Sequence, residues 1–142
     1  MPCGPDKGQA QYHAWYRHTV WSVKYLLAAA KEREELPARE RLAIYNAVRK
    51  LEVLGPLLPA PHSSDARSAP GLRELRPRAG NSPWRPLYRR VGDVFVIAAI
   101  APDGETNRRG FAAACRQAVR RLGDRELEFE DQDDDEDEEQ RK

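Results

Sequence analysis

Arginine stands at positions 73, 76, 78, 85, 89 and 90 of the stretch GLRELRPRAGNSPWRPLYRRVGDVFVIAAI, Gly71 to Ile100. A guanidinium is a planar fork of five donors that stays charged, so a group of them is suited to phosphate oxygens. The residues around them read as β-strands, on which side chains two apart share a face. Such a surface is either a solvated outer face, where charge protects a sheet from edge pairing, or a surface built for a phosphate backbone. Glu74 is the carboxylate within these basic strands. It reads first as a salt-bridge partner of Arg85 across a hairpin and only second as a general base.

Other reactive side chains carry less. His13, His18 and His62 lie in no motif and read as surface histidines. Cys3 with His13 and His18 lacks metal-ligand spacing, so neither metal nor other cofactor is expected. Two cysteines, Cys3 and Cys115, make no disulfide framework. Cys115 falls on an apolar helix stripe and reads as a small hydrophobe.

The net charge of +1 conceals a segregation. From Asp124 to Lys142 there are 12 acidic and 3 basic residues, which leaves 21 basic and 11 acidic residues before them. A basic domain is thus followed by an acidic tail, an asymmetry that points to nucleic acid as partner. The tail either solvates the basic domain or competes with nucleic acid for it. No apolar run approaches the roughly 18 residues of a membrane span, and the N-terminus lacks a signal-peptide apolar region. The cytoplasm is the expected compartment.

The elements that must position the arginines follow from periodicity. Residues 1–18 read as a polar N-terminal extension, 19–123 as one domain and 124–142 as a disordered acidic tail. HTVWSVKY (His18 to Tyr25) alternates as a short strand, although YHAWYRHTVWSVKYLLAAA also reads as one long helix. LLAAAKEREEL has helical composition. PARERLAIYNAVRKLEVLG is the clearest helix, opened by Pro37 and closed by Gly55-Pro56. Its apolar stripe reads as Leu42, Tyr45, Val48 and Leu51, with Ile44 and Leu54 beside them. Leu57 to Pro70 reads as a proline- and serine-rich loop. Strands follow at LRELRPR, WRPLYRR and DVFVIAAI, joined by turns short enough for antiparallel hairpins. The last is apolar on both faces and belongs at the centre of a sheet. RRGFAAACRQAVRRL returns to helical period, with Phe111, Cys115, Ala118 and Leu122 inward. The expected fold is α+β: a small antiparallel sheet of about four strands, packed with an N-terminal helical hairpin and a C-terminal helix.

Four of these segments carry a resemblance. Leu51 to Pro56 read Leu-Glu-x-x-Gly-Pro, Leu72 to Arg76 read Leu-x-Glu-Leu-Arg, Trp84 to Tyr88 read Trp-Arg-x-x-Tyr, and Val94 to Ile100 form the apolar strand. In this order and at these intervals they resemble the RelE/HigB-type toxins of type II toxin–antitoxin pairs, in the phage-derived branch, over about residues 19–122. The resemblance implies the RelE-like fold and cleavage of mRNA, usually in the ribosomal A site. It also implies neutralisation by an antitoxin, often a helix-turn-helix protein encoded next door, in a hetero-oligomer. Transferred to this chain, it makes Arg76, Arg85 and Tyr88 the catalytic set. Arg73, Arg78, Arg89, Arg90, Arg108 and Arg109 would be RNA-binding.

One departure matters. After the apolar strand the family commonly reads Leu-His-x-Phe-x-Lys-Lys, whereas this chain reads IAAIAPDGETNRRGF. Ala98 aligns with the histidine and Pro102-Asp103 with the lysine pair. Two readings therefore stand beside the nuclease: a RelE-fold binding module with weak or no catalysis, and a protein whose acidic tail occupies its own basic surface.

Overall fold

A computed structural model of the chain describes residues 21–67 and 69–131. The readings of residues 1–18, and of the acidic run beyond Asp131, lie outside the described residues. β1 (Ser22–Tyr25) turns Val23 and Tyr25 inward and Ser22 and Lys24 outward. This period of two settles the ambiguity of the N-terminal apolar stretch for the strand, at least from Ser22 on. The first helix, α1, spans Leu27–Glu34.

After Pro37, α2 runs from Ala38 to Leu54. Its buried stripe is Ala43, Ile44, Ala47, Val48 and Leu51. The expected stripe is therefore rotated, since Leu42 is 61% and Tyr45 57% exposed. The two alanines explain the rotation: their small side chains let the helix axis approach the sheet, and bulkier neighbours are turned to the rim. The helix stops at Gly55, whose φ of 55° is left-handed. A Cβ there would collide with the Trp21 indole. The backbone N–H of Trp21 also bonds the Glu52 carbonyl at 2.7 Å, fixing the entry to β1 against the helix end.

β2 (Ser63–Asp65), β3 (Arg73–Leu75), β4 (Trp84–Val91) and β5 (Val94–Pro102) complete a sheet of order β1-β5-β4-β3-β2. The α+β fold is as expected, and the sheet, expected at about four strands, has five in a mixed arrangement. β1 pairs with β5 in parallel, while the other pairs are antiparallel. Parallel pairing follows from the long crossover between β1 and β5. β2 lies inside the stretch expected to be loop. Ser-Ser-Asp has no strand propensity of its own, so its pairing with β3 comes from tertiary context.

β5 lies between β1 and β4 and is buried on both faces, as its composition demands. On one face, Phe95, Ile97 and Ile100 join Val23, Tyr25, Leu75 and Tyr88 under α1 and α2. On the other, Val96, Ala98 and Ala101 join Leu72 and Leu87 with the C-terminal helix α3 (Arg108–Leu122). Phe111, Cys115 and Ala118 are its buried residues, on the expected stripe. Asn107 caps α3 by accepting the Gly110 N–H at 2.9 Å.

The first residues of the acidic segment are attached to the sheet: the Leu27 N–H bonds the Glu128 carbonyl at 2.7 Å and the Glu130 N–H bonds the Tyr25 carbonyl at 2.8 Å.

Candidate nucleic-acid interface

Arg85 sits on β4 and is 1% exposed. Its guanidinium donates to three backbone carbonyls: Ser82, Trp84 at 3.0 Å and Gly80 at 3.0 Å. Glu74 lies 3.3 Å from Nε, without the alignment of a hydrogen bond, and Asp103 lies 3.5 Å from Nη2. Burial pushes this guanidinium below its ordinary pKa, against the opposing charge of Asp103. The residue knits the turn before β4 to the sheet. With both terminal nitrogens bonded to backbone carbonyls and its surface covered, it is not open to a phosphate. The proposed pairing of Glu74 with Arg85 is present, and Glu74 also binds Arg76 at 2.9 Å.

Tyr88 is likewise interior, at 2% exposure. Its hydroxyl and that of Ser63 lie 2.6 Å apart, and its ring meets Phe95 edge-on at 5.7 Å. It cannot stack a base. Two of the three side chains expected to be catalytic are therefore parts of the core, because sequence spacing does not separate a buried strand face from a wet one.

Arg76 and Arg78 are brought together. Both line a cleft of about 140 Å³ whose far wall is α2, through Ala43, Asn46, Ala47 and Lys50, and whose rim includes His62. The α2 residues follow the three- and four-residue spacing of one helix face, and the alanines leave the hollow. The backbone N–H of Arg76 donates to the His62 carbonyl at 2.9 Å, so the two residues are held by one pairing. Arg76 passes over Gly80, where a Cβ would come within 2.8 Å of its Nη2.

Arg78 and Ala79 adopt left-handed φ values of 54° and 55°. Non-glycine residues in that region cost of order 1 kcal/mol each and persist where surrounding contacts over-determine them. Here the contact is Glu40 of α2, which accepts from Arg78 at 2.8 and 3.1 Å and from the Ser82 hydroxyl at 2.8 Å. Burial works to raise the Glu40 pKa, yet the hydrogen bonds from Arg78 and Ser82 outweigh it and hold the carboxyl below its ordinary value of 4.5. A lowered folded-state pKa stabilises the protein fully above the unfolded value, and that contribution disappears as pH falls through the folded value. We expect Glu40→Gln to be less stable than wild type at neutral pH, with the difference shrinking below about pH 4.5. Denaturant midpoints across pH check this.

The remaining expected RNA contacts are dispersed. Arg73 bonds Asp65 at 2.6 Å and the Ser63 hydroxyl at 3.0 Å. Arg89 lines a groove against α3 with Arg116 and Arg120. Arg90 lies 4.9 Å over the Trp21 ring and donates to the Gly92 carbonyl. Arg108 and Arg109 are exposed at the start of α3. Lys50 and His62 are the side chains missed at the cleft. His62 reads as surface because its neighbours form no motif, and only the pairing with Arg76 brings it in. Among the described residues no cluster of His, Cys, Asp or Glu could hold a metal ion, and no helix is long and apolar enough to cross a membrane.

Comparison with known proteins agrees with this architecture. A mutant of the E. coli toxin RelE in its free state superposes with a TM-score of 0.50 at 17% identity, covering 72% of this chain and 98% of that one. The fold is that of the RelE-type toxins. Residues 31–100 match the family described as Phage derived protein Gp49-like (DUF891). The chain is thus similar to the Gp49-like, phage-derived family over residues 31–100 and to RelE in its fold. No curated protein matches its sequence.

Proposed function

We propose that the chain is the toxin of a type II toxin–antitoxin pair and cuts mRNA at the cleft between α2 and the Arg76–Arg78 turn, on the ribosome and in the cytoplasm. The observation that carries this is the convergence of Lys50, His62, Arg76 and Arg78 on one hollow. In metal-independent RNA cleavage the 2′-hydroxyl attacks the adjacent phosphorus and the 5′-oxygen leaves. The reaction needs proton transfer at both oxygens and positive charge on the transition state. Arg76, Arg78 and Lys50 supply the charge, and the His62 imidazole is the lining group able both to donate and to accept a proton. This assignment keeps Arg76 and replaces Arg85 and Tyr88. The partner is an antitoxin, in keeping with the toxin fold, and the helix-turn-helix class is the expected kind.

A second reading is a binding module without catalysis. It is favoured by the pairing of Arg76 with Glu74 and of Arg78 with Glu40, which ties both arginines down before any ligand arrives. Inducing the protein in bacteria with and without the neighbouring gene, while mapping mRNA 5′ ends, separates the two. The nuclease gives growth arrest and new ends, both lost in Arg76→Ala. Normal growth without new ends leaves the binding module.

A further inference from the structure

β1 is an edge strand. The Leu26 N–H turns toward β5, bonding the Ile97 carbonyl at 2.9 Å, so the backbone groups of its neighbours Tyr25 and Leu27 turn to the open side. An exposed row of such groups is a template for a further strand. Here it is occupied by this chain itself. The two backbone bonds to Glu128 and Glu130 make Leu26 and Phe129 an antiparallel bridge pair.

Side chains reinforce the pairing on both sides. Arg33 of α1 holds the Glu130 carboxylate by two bonds, at 3.0 and 2.5 Å. The same guanidinium lies 4.4 Å over the Tyr25 ring. Phe129 lies under Lys24 at 5.6 Å, and Leu127 packs against the core on the α3 side. Antiparallel pairing makes the segment run toward the Val23 end of β1. There a groove of about 310 Å³ lies between β1 and α2, with Arg33, Arg41 and Arg49 on its walls and Glu34 and Glu52 offsetting part of their charge.

We propose that the open edge of β1, with the arginine-walled groove beside it, is a strand-addition site for an acidic extended segment. Its resident occupant is this chain's own Leu127–Asp131, which acts as a displaceable latch. The alternation is what selects the segment: apolar Leu127 and Phe129 pack, while Glu130 meets the Arg33 fork. The latch closes an edge that would otherwise pair with other chains, and it fixes where the acidic run begins. It rests on the fold alone and stands whether or not the chain cuts RNA.

The test uses the full chain and a labelled peptide of residues 124–142 as the probe. A tethered segment acts at an effective concentration in the millimolar range, so wild type should bind the peptide poorly. Glu130→Lys releases the resident and leaves the edge intact; peptide binding should rise at least tenfold, and exchange of the Leu27 amide proton should quicken at least tenfold. Leu27→Pro is the second variant. Leu27 is the first residue of α1 and Leu26 is extended, at φ −63° and ψ 146°. Proline is tolerated there, yet it deletes the donor to Glu128. Its peptide binding should stay at or below that of wild type, while the Glu130 amide exchanges faster. Equal peptide binding by Glu130→Lys and wild type, or a Leu27 amide that exchanges at the same rate in both, overturns the proposal.

Discussion

His62→Gln is expected to lower the mRNA cleavage rate by about 10²- to 10⁴-fold, the usual contribution of a positioned general acid or base. Glutamine keeps a similar volume and hydrogen-bonding capacity but exchanges no proton. The His62 backbone carbonyl, which accepts from Arg76, is untouched by the change, so the cleft should keep its shape. The readout that separates chemistry from folding is single-turnover cleavage alongside the thermal midpoint: the first should collapse and the second stay within a few degrees. Arg76→Ala should weaken both RNA binding and cleavage, because a guanidinium at the cleft contacts phosphate in ground and transition states alike. A His62→Gln protein that cuts at the wild-type rate removes His62 from the chemistry and returns attention to the arginines alone.

The second large effect concerns stability. Arg85→Ala should destabilise the domain by about 3–5 kcal/mol, the range for removing one member of a buried ionic group. The loss leaves Asp103 without the Arg85 guanidinium and Glu74 with that of Arg76 alone, and it removes the side-chain donors to the carbonyls of Gly80, Ser82 and Trp84. Urea unfolding should show a lower midpoint at an unchanged slope. Arg85→Lys should recover only part of the loss, since one ammonium cannot span three carbonyls and two carboxylates. Activity lost in Arg85→Ala would thus report unfolding. An Arg85→Ala protein as stable as wild type would show that the buried network contributes nothing.

The scaffold was legible where one physical pattern dominated. Val94 to Ile100, apolar at every position, could only be a strand covered twice, and Phe111, Cys115 and Ala118 repeat at helical spacing. Legibility failed where small or polar residues do structural work. Ala43 and Ala47 take the buried face of α2 from Leu42 and Tyr45, because proximity to the sheet outweighs side-chain size. Ser63 to Asp65 pair only because β3 is already in place. The candidate site was half visible. Arg76 stood out by type and motif, but Arg85 looks the same in sequence, and only backbone carbonyls converging from residues 80, 82 and 84 make it interior. His62 and Lys50 come from separate elements that no spacing rule connects.

The carboxylates that hold Arg76 and Arg78 have a consequence for any anion that enters. Glu74 and Glu40 act as built-in counterions, so a phosphate reaching the cleft exchanges with a resident charge instead of filling a bare positive hollow. Binding then releases fewer solution ions than the number of arginines implies, and its dependence on salt is correspondingly shallow. A chloride or free phosphate ion competes poorly with a carboxylate fixed at 2.8 or 2.9 Å. A nucleic acid strand, held at several points at once, can make the exchange. On the proposed function, the cleft would discriminate by the connectedness of the charges offered to it, and not by charge alone.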